Sequence, residues 1–174
     1  FEALINVRQN RPAEHVAKFI DAQLRSGGKG VSEQELEVLL DRVLTLFRYI
    51  QGKDVFEAFF KKDLAKRLLL NKSASIDAEK SIISKLKQEC GSGFTNKLEG
   101  MFKDMDLSRD IAVAFAQSQS KKDLQAKIGS EISVHVLTTG YWPAYPPAPL
   151  NVPKELLDHP EAFEKVYLSK HQGR

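Results

Sequence analysis

The chain has 174 residues, of which 42% are apolar and 28% are charged, and its formal net charge is +3. This composition is that of an ordinary folded domain and excludes a disordered chain, while the small, well-distributed charge gives little support to strong nucleic-acid binding. The longest uncharged apolar runs are far too short to span a bilayer.

Two helical patterns separated by glycines occupy the first part of the chain. Pro12 suits the first turn of a helix, and apolar residues recur after it at helical spacing up to Leu24. The glycines of residues 27–30 interrupt this pattern and predict a flexible joint. Ser32 and Glu35 then have the spacing of a capping box, which predicts the start of a second helix of about five turns.

Three further helical patterns follow in close succession. Asp54 lies three residues before Glu57, and this capping spacing predicts a third helix over about 54–70. A fourth helix is predicted over about 76–90. Gly91 follows it and can adopt the left-handed conformation that ends helices.

The fifth pattern predicts the longest helix of the chain. It begins at Thr95 and runs to about Gln117, with a break near residues 106–108 as the alternative. Helices this amphipathic and joined this tightly must bury their apolar faces on each other, which predicts an antiparallel four-helix bundle over residues 32–118. The predicted core contains Leu40, Val43, Phe47, Phe56, Phe60, Leu64, Leu86, Leu98 and Phe102.

One β-strand is predicted after the bundle. The polar residues 118–130 predict a mobile surface loop, and behind them Ile132, Val134 and Val136 recur with the period of two that is typical of a strand. A single strand is unstable, and the sequence contains no comparable second one. We therefore expect a truncated sheet whose missing strands belong to a longer chain or to another polypeptide, and the three residues are candidates for partner binding.

A proline-rich segment and one more helix complete the predicted elements. The helix is predicted over about 154–170, with Pro160 kinking or restarting it. The chain is therefore predicted to be mainly α and to consist of three parts. These are a helix with its glycine joint (residues 1–31), the four-helix bundle (32–118), and a mobile loop, lone strand, proline-rich segment and helix (119–174).

No pattern in the sequence indicates a catalytic, cofactor or metal site. The four histidines lie far apart, and no two are spaced to place ligands on one helical face. The GSG at residues 91–93 lacks the lysine of a phosphate-binding loop and fits a joint between helices. Cys90 occupies an apolar position of its helix, so we expect a buried thiol and reducing, intracellular surroundings. An enzyme with dispersed catalytic residues would require a deep polar pocket.

A cluster of positive side chains on the third predicted helix is a candidate partner-binding surface. Lys61, Lys62, Lys66 and Arg67 fall between the apolar positions, with Asp63 among them. We call these four positive residues the basic face. Three interpretations stay open: a solvated helix face, a contact for an acidic protein partner, or a nucleic-acid contact, which would show a steep salt dependence.

Several long segments carry a resemblance to a known family. They are GKDVFEAFFKKDLAKRLLL, KSASIDAEKSIISKLKQECGS and FTNKLEGMFKDMDLSRDI, together with LTTGYWP at 137–143 and YLSKHQGR at 167–174. These segments closely resemble the cullin family, the elongated scaffolds of multisubunit ubiquitin ligases, and the match is closest to the cullin-4 class. The resemblance covers nearly the whole chain.

The resemblance implies that residues 119–174 enter a truncated α/β region. It also implies a non-catalytic scaffold of a cullin-RING ubiquitin ligase. In that role the chain would rigidly link the substrate-receptor arm to the end that binds the RING-box protein and the E2 enzyme. The implied partners are a RING-box protein and, through N-terminal repeats outside this sequence, a β-propeller adaptor. No cofactor, membrane, direct nucleic-acid contact or small-molecule substrate is implied, and the expected location is the nucleus and cytoplasm. The alternative from another class is a helical nucleic-acid-binding or other protein-interaction module.

Overall fold

The computed structural model describes residues 1–26, 32–118, 132–147 and 149–171. In these ranges all regular secondary structure is helical, which confirms the mainly helical fold class. The helices are α1 (Glu2–Ile5), α2 (Arg11–Ser26), α3 (Glu33–Phe47), α4 (Lys53–Leu69), α5 (Ile76–Cys90), α6 (Ser92–Ala116) and α7 (Lys154–Lys170). The predicted glycine joint and all but the first residue of the predicted polar loop lie outside the described residues.

The chain divides into two compact units. The first comprises Phe1–Met101 with Thr139–Pro143, and the second comprises Phe102–Thr138 with Ala144–Arg174. Within the first unit, α2 packs on α4 and on α3, and α3 packs on α5. The three-part division made from the sequence stays a prediction, because both of its boundaries adjoin residues that are not described.

Capping groups set the ends of α3 and α5 where the sequence places them. The Ser32 hydroxyl accepts a hydrogen bond from the Glu35 N–H, and the Glu35 carboxylate accepts one from the Ser32 N–H, which confirms the capping box. Ser75 caps α5 by accepting from the N–H of Ala78. Gly91 ends α5 with a φ of 82°, the left-handed region that favours glycine.

The predicted cap of α4 and the predicted start of α6 are wrong. α4 begins before Asp54, with Gly52 as its N-cap, so the Asp54 carboxylate lies in the first turn and forms no cap. It is still favourably placed there, since a negative charge near a helix N-terminus is stabilised by the unpaired N–H groups. α6 runs without a break through residues 106–108 and includes Ser92 and Gly93, three residues earlier than predicted.

Pro160 neither ends nor restarts the last helix, because α7 is continuous through it. A proline in a helix interior removes one hydrogen bond and costs about 3 kcal/mol. Aromatic packing within the second unit offsets this cost. The ring of Phe163 lies edge-on to Phe115 with 5.3 Å between centroids and stacks on Tyr167 at 5.9 Å.

All nine predicted core residues are buried. Eight belong to the first unit, and Phe102 begins the second. An aromatic cluster lies in the core of the first unit, where the rings of Phe47 and Phe56 are 4.7 Å apart and those of Phe56 and Phe60 are 5.5 Å apart. Phe94 extends this cluster from α6. Each such ring buries about 150–250 Å² on folding, so these four side chains contribute to the packing of α3, α4 and the start of α6 on one another.

The predicted strand is not formed. Residues 132–138 have no ladder partner within the described parts of the chain. A strand requires such a partner, because its backbone N–H and C=O groups must be paired. Here polar side chains of α6 bind part of the segment's backbone instead: Ser108 binds Val136, and Asp104 binds Thr138.

Tyr141 packs against α6 at a glycine. A Cβ atom built on Gly100 would lie 2.5 Å from Cδ2 of the Tyr141 ring, a distance that real Cβ atoms do not adopt. Glycine in a helix interior normally destabilises by about 0.5–1 kcal/mol relative to alanine. The close approach of the ring therefore explains why a glycine occupies this helical position.

We predict that Gly100→Ala lowers the free energy of unfolding, although alanine is the better helix former. The new methyl group collides with the Tyr141 ring, and overpacking of this kind costs about 1–3 kcal/mol. Gly93→Ala is the control, since a Cβ there meets no atom within 4 Å and should be neutral or stabilise by up to about 1 kcal/mol. Denaturant unfolding measures both, and a Gly100→Ala variant as stable as the parent would contradict the close packing of the ring.

Candidate partner-binding surfaces

The four residues of the basic face differ in burial. Lys62 is exposed and Lys61 and Lys66 are half-buried, but the Arg67 side chain is 0% exposed. The prediction of a solvated face is therefore wrong for Arg67. The reason is helical spacing: Arg67 lies three residues after the buried Leu64, on the side of α4 that faces the core. The partner-binding role of the three lysines stays a prediction.

Arg67 forms ion pairs with carboxylates of two other helices. Its Nε donates to Oε1 of Glu79 at 2.6 Å and its Nη2 donates to Oε2 of the same residue at 2.9 Å, so the pair with α5 is bidentate. Its Nη1 donates to Oδ1 of Asp21 on α2. The ring of Phe60 lies 5.7 Å from the guanidinium carbon. One side chain of α4 thus connects three helices, and we call Arg67, Glu79 and Asp21 the Arg67 triad.

The Arg67 triad is shielded from water. Glu79 is 0% exposed like Arg67, and Asp21 is 16% exposed. Burial by itself lowers the pKa of Arg67, but hydrogen bonds and charge from Glu79 and Asp21 outweigh it, so the pKa lies above its ordinary value. The guanidinium therefore stays charged, and removing it would leave the fully buried Glu79 carboxylate without a counter-charge, which costs about 3–5 kcal/mol.

The connection between α4 and α5 is bound to the same elements. The hydroxyl of Ser73 donates to Oε1 of Glu79 at 2.8 Å, and the N–H of Ala74 donates to the C=O of Leu24 at 2.8 Å. The second of these bonds reaches the last turn of α2. The side-chain bond thus attaches the α4–α5 connection to α5, and the backbone bond attaches it to α2.

The buried Glu79 was not recognised from the sequence, although the spacing contains a signal for it. Glu79 precedes Ile82, Ile83 and Leu86 by three, four and seven residues, which are the separations of one helix face, and all three are buried. A charged residue at such a position indicates a buried ion pair. The opposite charge lies on another helix, and no local pattern identifies it.

Cys90 is half-buried, not fully buried as predicted. Partial burial raises the pKa of its thiol, an effect that the nearby Lys53 charge only partly opposes. A raised pKa keeps the sulfur in the less nucleophilic thiol form. In the described residues no group of three or more His, Cys, Asp and Glu side chains is placed to hold a metal ion. No helix in those same ranges is long and apolar enough to cross a membrane.

The second candidate surface, residues 132–138, shows the predicted alternation of burial without the predicted strand. Ile132, Val134 and Val136 are half-buried, and the residues between them are exposed. The Ser108 hydroxyl accepts from the Val136 N–H at 2.9 Å and donates to the Val136 C=O at 3.0 Å. These side-chain bonds replace the two backbone hydrogen bonds that Val136 would form with a neighbouring strand. The role of Ile132, Val134 and Val136 in partner binding stays a prediction.

Asp104 holds the next part of this segment. One oxygen of its buried carboxylate accepts from the Thr138 N–H and the other from the Thr138 hydroxyl, both at 2.7 Å. A cavity of about 490 Å³ lies beside these residues in the second unit, with Ile111 and the Phe115 and Phe163 rings among its lining. Its lining is largely apolar, unlike the deep polar pocket that an enzyme with dispersed catalytic residues would require.

Comparisons with known proteins agree with this helical architecture. A family model described as the Cullin alpha solenoid domain matches residues 1–112. The chain is 55% identical over all 174 residues to Cullin-4A of Mus musculus, of which it covers 23%, and 58% identical over the same length to Cullin-4 of Dictyostelium discoideum, of which it covers 21%. Identity to Cullin-3 of Dictyostelium discoideum is 51%, over 22% of that protein.

The chain therefore belongs to the cullin family, as the sequence resemblance indicated. Its identity to the Cullin-4 proteins exceeds its identity to Cullin-3, in agreement with a resemblance to the cullin-4 class. It spans 21–23% of the length of these relatives.

One acidic residue near the Arg67 triad gives a pH-dependent prediction. Burial raises the pKa of Asp63, and the negative charge of Asp21 raises it further, while Lys66 and Arg67 oppose this. An acid with a raised folded-state pKa binds its proton more tightly in the folded state. The ionised form therefore destabilises the fold, and stability is lost as the pH rises through the carboxyl pKa.

We predict that Asp63→Asn raises the melting temperature at about pH 7 and that this gain shrinks as the pH falls towards 3.8, the ordinary pKa of an aspartate. The amide removes the costly charge, and at low pH the parent carboxyl is itself neutral. Asp54→Asn, on an exposed position of the same helix, is the control and should give no gain. Thermal unfolding followed by circular dichroism across this pH range measures the effect, and a gain independent of pH would contradict the charge as its cause.

Proposed function

We propose that this chain is part of the non-catalytic scaffold of a cullin-RING ubiquitin ligase. The observation that carries the proposal is the 55–58% identity, over all 174 residues, to proteins named Cullin-4A and Cullin-4. The proposed partners are a RING-box protein and, through regions outside this chain, a β-propeller adaptor. The proposed location is the nucleus and cytoplasm.

The proposed contribution of this chain is a rigid link between the substrate-receptor arm and the RING-box end. Stiffness in the first unit is supported by the aromatic cluster of Phe47, Phe56, Phe60 and Phe94. It is supported also by α6, whose 25 residues form a helix about 37 Å long. A scaffold of this kind contributes position, while the reacting groups belong to its partners. The raised pKa of the Cys90 thiol fits that division of roles.

The two candidate surfaces are proposed as protein contacts. Lys61, Lys62 and Lys66 offer positive charge to an acidic partner surface, and the burial of Arg67 weakens the nucleic-acid alternative by removing one charge from that face. The half-buried apolar residues of segment 132–138 offer a contact for the RING-box protein.

The test replaces the matching segment of full-length Dictyostelium Cullin-4 with these 174 residues. The chimera is combined with a RING-box protein, an E2 charged with ubiquitin, a β-propeller adaptor and a substrate. We expect the chimera to co-purify with the RING-box protein and to support ubiquitin transfer to the substrate at a rate close to that of the parent. A folded chimera that does not bind the RING-box protein would contradict the proposed scaffold role.

A flexible insertion in the same chimera tests the rigid link. Four residues, Gly-Gly-Ser-Gly, are inserted after Gly91 at the joint between α5 and α6. Transfer to the substrate should fall about tenfold, because it depends on geometry, whereas discharge of the E2 onto free lysine should not change. Unchanged transfer to the substrate would show that stiffness at this joint does not contribute.

A further inference from the structure

The apolar surface of α2 opposes a shift of this helix by one turn at a single position. Its fully buried residues are Ala13, Ala17, Ile20 and Leu24, two small side chains followed by two large ones, each pair separated by about one helical turn. A shift of α2 along α4 by one turn would place Ala17 where Ala13 lies and Leu24 where Ile20 lies, and only Ile20, brought to the space of Ala17, would be overpacked. Elsewhere apolar contact is non-directional and distinguishes the two arrangements weakly.

The Arg67 triad distinguishes the observed position of α2 from a position shifted by one helical turn. The planar guanidinium fork donates to two carboxylates in fixed directions, with two N–H groups on Glu79 of α5 and one on Asp21 of α2. A one-turn shift, about 5 Å, would take Asp21 out of hydrogen-bond range of Arg67. It would also break the bond from the Ala74 N–H to the Leu24 C=O.

We propose that the Arg67 triad is a conformational lock, which selects one register of α2 against α4 and α5. Its contribution is the uniqueness of this arrangement more than the stability of the folded state, because taking two ions out of water offsets most of their attraction. Buried polar groups fix register in other helical assemblies by the same physics. The lock concerns the helices of this chain and does not depend on the proposed ligase role.

Exposed ion pairs of the same unit differ from the triad. Arg48 and Glu89 connect the end of α3 to α5, but their side chains are 59% and 26% exposed. Water can replace each partner there, so a shifted arrangement costs little. This pair is therefore the matched control for the triad.

The test measures the distance between α2 and α5 in the 174-residue chain by pulsed electron paramagnetic resonance. Cys90 is replaced by serine, and spin labels are attached to cysteines at His15 and Ser84, both exposed positions. The variant Arg67→Met/Glu79→Leu removes both fully buried ions together. We expect it to melt within about 5 °C of the parent or above it, and to show a second distance population displaced by up to about 5 Å, or a clearly broader distribution.

The control variant Arg48→Met/Glu89→Leu should retain the single distance of the parent. A folded triad variant with the same mean distance and width as the parent would overturn the proposal. If the triad variant does not fold, the same distance measurement on Arg67→Lys tests the lock, since one ammonium group cannot reproduce the three directed bonds of the guanidinium. A broadened distribution in Arg67→Lys supports the lock. An unchanged distribution overturns it, and so does failure of both variants to fold, because the triad would then act through stability.

Discussion

A buried guanidinium between two carboxylates is the constraint on which the first unit depends. Arg67 and Glu79 are both 0% exposed, so each needs the other and no water replaces either. The α4 and α5 helices must therefore meet where the bidentate pair can form, and α2 must bring Asp21 to the third donor. Apolar burial supplies the driving force for packing these helices, whereas the ion pairs restrict where they pack.

Buried polar side chains also fix a neighbouring segment in the second unit, where side chains of α6 bind a segment that has no regular secondary structure. Ser108 and Asp104 are buried, and together they bind backbone groups of Val136 and Thr138 that a sheet would otherwise pair. In both units a helix buries a few polar groups that bind particular groups of other segments. Such directed contacts favour one arrangement of elements, which is the property that a scaffold requires.

Sequence spacing predicted the helices and the core because apolar periodicity is a local signal. All nine predicted core residues, including Phe47 and Phe60, are buried. Residue type misled the interpretation of Arg67, which was placed on a solvated face although its separation from Leu64 puts it on the core side. The sequence did not reveal that the predicted strand binds side chains of α6 and forms no ladder. Its hydrogen-bond partner Ser108 lies 28 residues from Val136, and only the tertiary fold brings the two together. Candidate partner-binding residues were identified by charge and periodicity alone, and partner binding leaves no further signal in one sequence.

A double-mutant cycle on Arg67 and Glu79 measures the buried ion pair most directly. The free energies of unfolding of Arg67→Met, Glu79→Leu and the double variant are compared with that of the parent by denaturant titration. Arg67→Met leaves the buried Glu79 carboxylate without its counter-charge and should cost about 3–5 kcal/mol, and Glu79→Leu leaves Arg67 with Asp21 as its one ion-pair partner and should cost somewhat less. The double variant should lose much less than the sum of the two, giving a coupling of at least about 2 kcal/mol. Additive losses, with a coupling below about 0.5 kcal/mol, would contradict the dependence of the first unit on this ion pair.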